Sequence, residues 1–280
     1  MSMPDAYTQL LDATISHLES LKSRGTRFVT VSPENLAALA RTPRRAAVAT
    51  AAPIISSSPS SSSAPVTATA PVSEAKAAAF AELRARALVC VKCPHLAGSR
   101  KNVVFGVGSP DASLMFVGEA PGADEDEQAE PFVGKAGQLL TKIIQTMGFQ
   151  RSSVYIANIL KCRPDTPGQS AGNRKPTPEE MQTCIPYLHE QIDLIQPKVI
   201  VALGATAVEG LLGKTIGITK LRGQWRTYRN IPLMPTYHPA YLLRNQALSE
   251  KRRVWEDMLA VLEKLGAPVS EKQRGFFLKA

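Results

Sequence analysis

Cysteine and histidine each occur only four times in these 280 residues, and aromatic residues make up 6%. Nothing approaches 18 consecutive apolar residues, which excludes a membrane-spanning helix and leaves no membrane partner to expect. The opening stretch "MSMPDAYTQLLDATISHLES" carries early acids and no basic leader region, so a cytoplasmic location is expected. In that compartment, scarce cysteines are more often metal ligands or redox groups than disulfides. Neither a Gly-x-Gly-x-x-Gly fingerprint nor a Walker loop is present, which disfavours a small-nucleotide enzyme.

What is present is a globular composition, 44% hydrophobic and 20% charged, at a length that fits one large domain or two small ones. The net charge of +9 is unevenly placed. Residues 81–280 carry +7, and five acids fall between Asp124 and Glu130, leaving the rest of that region near +12. A basic body around one acidic loop suits a nucleic-acid binder with an acidic working site. On charge alone, an ordinary basic surface is equally open.

Residues 1–45 read as a short helical N-terminal arm. Tyr7, Leu11, Ile15, Leu18 and Leu21 recur at helical spacing before Gly25, and Ser32 with Pro33 opens a second short helix. The arm is a docking element or a site for a protein partner. Residues 46–76 are Ala, Ser, Pro and Thr with almost no charge, and are expected as a disordered, flexible linker. From 77 to 270 strand-like and helix-like runs alternate, and 271–280 form a C-terminal tail. The fold class expected is α/β: three layers, α/β/α, around a central, mostly parallel four-stranded sheet. Ligands of such sheets collect at the carboxyl ends of the strands. "GEAPG", "NILKCRP", "LGATA" and "TYHPA" all fall at such ends.

Cys90 and Cys93 form a Cys-x-x-Cys turn, and Cys162 and Cys184 are the other candidates. Four thiolates from a turn, a strand end and a helix suit an all-cysteine zinc site or a [4Fe–4S] cluster. A lone turn with two buried thiols is the plainer alternative. His95 is a further candidate ligand, unneeded if all four cysteines serve.

At the expected rim, Gly118, Pro121 and Gly122 force a tight turn beside Glu119. Phe132, between Pro131 and Gly134, is a hydrophobic plug or a platform for a flat ring. Asn158, ending a strand, offers a donor and an acceptor side by side, as a nucleobase edge does, unless it only caps a turn. His238, held by the following proline, is a packed imidazole or an acid and charge stabiliser. Leu242 and Leu243 beside Arg244 start a core helix or make a wedge that enters a base stack.

Taken together, "GEAPG", "PFVGKAG", "NILKCRP", "GNRKPTPEEMQTC" and "HPAYLLR", beside the four cysteines, resemble the family-4 uracil-DNA glycosylases, the iron–sulfur branch of their superfamily. The likeness spans roughly residues 80–265. It implies a monofunctional N-glycosyl hydrolase of base excision repair that releases uracil from single- or double-stranded DNA. It also implies a structural [4Fe–4S] cluster on Cys90, Cys93, Cys162 and Cys184, and a monomeric enzyme of bacterial type associated with the nucleoid. By the same resemblance Phe132 stacks on the extruded uracil, Asn158 reads its O4 and N3 edge, and His238 donates toward O2. Glu119, Ala120 and Gly122 line the pocket, with Glu119 helping to place the water, and Glu125 shields the C5 position. Asn173 and Arg174 lie near the scissile sugar and phosphates, and Leu242, Leu243 and Arg244 fill the gap in the duplex. Two departures stand out: Ala120 occupies the place of a water-activating Asp in the better-known branch, and "DTPGQSAG" lengthens the segment between Cys162 and Cys184. A non-catalytic iron–sulfur or zinc nucleic-acid-binding module on the same fold is the competing class.

Overall fold

The computed structural model describes residues 74–166, 169–213 and 217–278. The expected arm, and the expected linker except its last three residues, lie outside the described residues. Those three residues begin a helix, α1 (Glu74–Leu88). It is followed by α2 (Pro94–Ser99), which starts directly after Cys93.

The strands of the main sheet are β1 (Val107–Gly108), β2 (Leu114–Gly118), β3 (Tyr155–Asn158), β6 (Val199–Leu203), β7 (Arg226–Tyr228) and β8 (Ile231–Thr236). Their order is β1-β3-β2-β6-β8-β7. The inner four are parallel, and the short edge strands β1 and β7 pair antiparallel to them. The expected four-stranded parallel core is therefore flanked by two edges that carry no long apolar run. In β2, β3 and β6 every residue is buried, as a sheet covered on both faces requires.

Side-chain alternation sorts the core into two layers. Leu114 and Phe116 join Ile156, Val199, Val201 and Met234 on one face. That face is covered by α4 (Lys135–Thr146), through Leu140 and Ile144, and by α9 (Leu248–Leu265), through Trp255, Met258 and Leu262. Met115 and Val117 join Tyr155, Ala157, Ile200 and Ala202 on the other. There α5 (Pro178–Ile195) and α6 (Ala205–Leu212) pack with Leu188, Ile192 and Leu211.

The long segment after Cys162 includes a second sheet, β4 (Asp165–Thr166) against β5 (Gln169–Asn173). Short helices complete the described chain: α3 (Ala123–Gln128), α7 (Ile218–Leu221), α8 (Pro239–Arg244) and α10 (Glu271–Gly275). The last lies within the expected tail and is capped by Ser270, with Trp255 Nε1 donating to Gln273 O at 2.6 Å. Because β2 is followed in sequence by its neighbour on one side and later by β6 on the other, the switch point at which such sheets form a crevice lies at the carboxyl ends of β2 and β6.

Candidate active site

Strand ends build this crevice. Gly118, ending β2, lies in register with Asn158, ending β3. A Cβ on Gly118 would fall 2.4 Å from Asn158 Oδ1 and 2.5 Å from Phe132 Cζ, so glycine is what lets ring and amide approach here. The Phe132 and His238 rings have centroids 5.7 Å apart and are tilted by 31°. His238 follows β8 and sits against Gly204, which follows β6 with φ +92 and whose added Cβ would be 3.0 Å from His238 Cβ. An aromatic ring, an amide and an imidazole from three segments thus share one rim.

Phe132 itself has φ +56, a left-handed conformation that costs a phenylalanine about 1–3 kcal/mol. Neighbours on both sides hold it there. Glu125 accepts from Val133 N and Gly134 N at 3.0 Å, and its other oxygen accepts from Gly122 N at 3.0 Å. On the opposite side Arg151 pairs with Glu130 at 3.1 Å and donates to Pro131 O. The carboxylate of Glu125 is therefore a brace for both walls of the crevice.

Asn158 is 2% exposed, and its Oδ1 is a buried atom without a hydrogen-bond partner among the described residues. Buried acceptors are rarely left open, and one beside the Phe132 ring at a strand end calls for a donor. His238 Nδ1 accepts from Ala240 N at 3.1 Å and so caps α8, which leaves the proton of a neutral imidazole on Nε2. The ring is partly exposed at the mouth but packed elsewhere, and burial, with Arg244 adding to it, holds its pKa down to about 4. Behind it, buried Thr236 donates to Asp257 Oδ2 at 2.6 Å, and Arg222 pairs with the same carboxylate, which burial pushes up to about 6.

Glu119 and Ala120 lie half-buried at the mouth, the backbone of Glu119 accepting from Leu160 N at 3.1 Å. Asn173, exposed at the end of β5, approaches the Gly122 side of the crevice and accepts from Arg163 Nε at 2.8 Å. Arg174, expected near the sugar and phosphates, is held by buried Glu180 at 2.5 and 2.8 Å, with His95 bonded to the same carboxylate at 2.6 Å. That network joins α2 to the capped start of α5, where Thr177 and Glu180 exchange capping bonds. Leu242, expected in the wedge, is instead a core residue, 6% exposed and packed with Tyr237 and Val254. Helical geometry turns the next residue outward, so Leu243 (40% exposed) and Arg244 face solvent.

On the α5 side of β3, Cys90, Cys93, Cys162 and Cys184 line one small cavity with Leu96, Arg100 and Leu160. None of the four forms a disulfide. Arg100 Nη1 donates to Cys162 Sγ at 3.0 Å, and the Lys161 amide donates to Cys184 Sγ at 3.2 Å. Burial raises the thiols of Cys93 and Cys162, and pushes Cys184 up to about 12. Among the described residues no three of His, Cys, Asp and Glu are gathered to hold a single metal ion.

Lys161 escaped the sequence analysis. It is buried, donates through Nζ to Asn158 O at 3.0 Å and Gln191 Oε1 at 2.6 Å, and burial brings its pKa down to about 8. Nothing in its type or spacing signals this, since lysine ordinarily reads as surface.

Comparison with known proteins points to the uracil-DNA glycosylases. The model of the uracil DNA glycosylase superfamily matches residues 105–259. The type-4 uracil-DNA glycosylase of Thermotoga maritima is 47% identical over 174 residues, covering 60% of this chain and 85% of that protein. That of Sulfurisphaera tokodaii is 39% identical over 206 residues, covering 70% of this chain and 89% of its own. A type-5 uracil-DNA glycosylase from Thermus thermophilus is more distant, 28% identical over 206 residues, with 62% and 90% covered.

Proposed function

The chain belongs to the uracil-DNA glycosylase superfamily, in its type-4 group, and from this premise we propose which of its residues carry the activity. It is a DNA-repair hydrolase that excises uracil from DNA, breaking the N-glycosidic bond and leaving an abasic site. A base stacked in a duplex is out of reach, so it is extruded into the crevice at a cost of a few kcal/mol.

The observation that carries the residue assignment is the open, buried Oδ1 of Asn158 beside the Phe132 ring. Uracil stacked on Phe132 presents its N3–H to that oxygen and its O4 to the amide nitrogen. Cytosine has an acceptor at N3 and a donor at N4, so both bonds to Asn158 would fail. As the glycosidic bond breaks, negative charge gathers on the base. The Nε2–H of neutral His238 lies ready to donate to O2, and a preorganised donor of this kind is worth roughly 3–4 kcal/mol. Glu125 keeps the C5 side closed by bracing Gly122 against Val133 and Gly134, which supports exclusion of a thymine methyl. Glu119 is the group proposed to help place the water, Ala120 having no basic side-chain atom, and Asn173 lies near the scissile sugar. Leu243 fills the gap left in the stack, with Arg244 beside it at the phosphates.

The cysteines fit an iron–sulfur cluster. They line one cavity, the sulfurs of Cys162 and Cys184 receive N–H donors from Arg100 and Lys161, and burial makes Cys93, Cys162 and Cys184 costly as free thiolates. A single zinc ion draws its ligands to about 2.3 Å from one point, whereas a cluster presents several irons to separated thiolates. The shared cavity and the N–H donors to two of the sulfurs support Cys90, Cys93, Cys162 and Cys184 as ligands of a [4Fe–4S] cluster. Its contribution is structural, linking the 90–93 turn, the end of β3 and α5.

The test is a uracil-containing oligonucleotide incubated with the protein and then treated with alkali. Strand breaks at uracil and none at cytosine or thymine are expected. Binding without breakage would leave a non-catalytic nucleic-acid module.

A further inference from the structure

We infer that Lys161 is a positioning residue that ties the cysteine cavity to the base-reading amide, a reading that rests on the roles proposed for Asn158 and the four cysteines. One residue touches both places. Its amide N–H donates to Cys184 Sγ at 3.2 Å, and its ammonium donates to the carbonyl of Asn158 at 3.0 Å. The side chain is fixed from other directions as well. Gln191 Oε1 accepts from Nζ at 2.6 Å, while Gln191 Nε2 is anchored on Phe105 O at 2.9 Å and Tyr155 Oη at 3.0 Å. The Lys161 carbonyl accepts from Val104 N at 2.8 Å.

A buried ammonium is an expensive way to fill space, and a methionine of similar length would do so without desolvating a charge. Among the described residues no carboxylate pairs with this one. Its charge makes the bond to Asn158 O a charge-assisted one. Asn158 is the last residue of the β3 ladder, and the chain beyond it is held on the other side by Ile159 N to Gly118 O at 3.0 Å and Leu160 N to Glu119 O at 3.1 Å. The turn from Asn158 to Lys161 is thus clamped between the end of β2 and the ammonium. Displacing the ammonium displaces the backbone that aims the Asn158 amide, and small misplacements of a reading group cost rate steeply.

Lys161→Met tests this, with single-turnover excision at saturating DNA, calorimetric binding of free uracil, DNA affinity and the visible absorption of the cluster all measured. The expected result is a rate constant and a uracil affinity each lower by roughly 10–100-fold, the loss of one buried charged hydrogen bond, with DNA affinity and cluster absorption kept. A variant that matches the wild type in rate and uracil affinity overturns the inference. So does a variant whose deficit lies wholly in reaction amplitude, because fewer folded molecules then account for it. Should Lys161→Met not fold, Gln191→Leu removes one anchor and leaves the ammonium. A several-fold loss in the same two quantities is expected of it, and none overturns the inference. A wild-type chain that fails to excise uracil defeats the functional reading, whereas normal excision by wild type and Lys161→Met alike defeats only the role of Lys161.

Discussion

The crevice rim and the cysteine cavity stand on two sides of one strand end, and both are costly arrangements of polar groups. At the rim the cost is an open amide oxygen on Asn158, a left-handed phenylalanine, and an imidazole kept neutral by burial. In the cavity it is thiols withdrawn from water, Cys184 most strongly. What completes each differs. On the proposed roles of Phe132 and Asn158, a neutral ring with matching hydrogen bonds relieves the rim, and it comes and goes. On the proposed reading a cation that turns the buried thiols into thiolates completes the cavity, and such a partner stays. The comparison teaches that desolvation can serve turnover or permanence, depending on the charge of the group that offsets it.

The comparison can be broken or sharpened by substitution on either side. The largest effect is expected at the rim. Asn158→Asp places a carboxylate where the imide edge must pair, and single-turnover excision of uracil should fall roughly 10⁴-fold, with any gain on cytosine sharpening the assignment. Wild-type rates would refute it. His238→Ala should lower the same rate constant by roughly 10²–10³-fold while DNA affinity changes little, and a defect confined to affinity would remove the charge-stabilising role. Because the folded pKa of His238 is near 4, wild-type excision should show no break from this group near pH 6.5.

In the cavity, Cys162→Ser should abolish the brown colour and lower the melting temperature by about 10 °C, read by calorimetry. A colourless chain as stable as wild type would end the structural role of the cluster. The smallest effect concerns Glu180, which helps hold the cysteine-bearing helix. Arg174 foremost, then the Thr177 backbone and His95, keep its carboxyl near 2, below the ordinary 4.5. A depressed folded pKa stabilises above 4.5, and that stabilisation is lost as pH falls toward 2. Urea unfolding should therefore separate Glu180→Gln from wild type by about 3 kcal/mol at pH 6, with the gap closing between pH 4.5 and 2. A gap independent of pH would mean the ion pair is not its source.

The parallel sheet was legible because β2 and β6 are short, wholly apolar runs ended by glycine, and helical periodicity separates them. Edge strands β1 and β7 were not legible, since two or three half-exposed residues carry no pattern. Leu242 and Leu243 show the limit at single residues. Both are leucines on one short helix, and only the packing of Tyr237 and Val254 assigns the first to the core and the second to solvent. Glu125 and Arg174 are charged residues in motif positions whose charges turn out to be spent on backbone amides and on Glu180.

Chain order and residue chemistry were enough to specify strands that stop at glycine turns, helical runs that alternate with them, and four thiols with three polar or aromatic candidates near strand ends. Those features depend on neighbours a few positions apart, where propensity and periodicity act. Convergence of Phe132, Asn158 and His238, the clamp of Lys161 between Cys184 and Asn158, and the capture of Arg174 by Glu180 were decided by folding alone. Each of these depends on which buried group lies beside which, and burial, unlike sequence spacing, is a property of the packed layers.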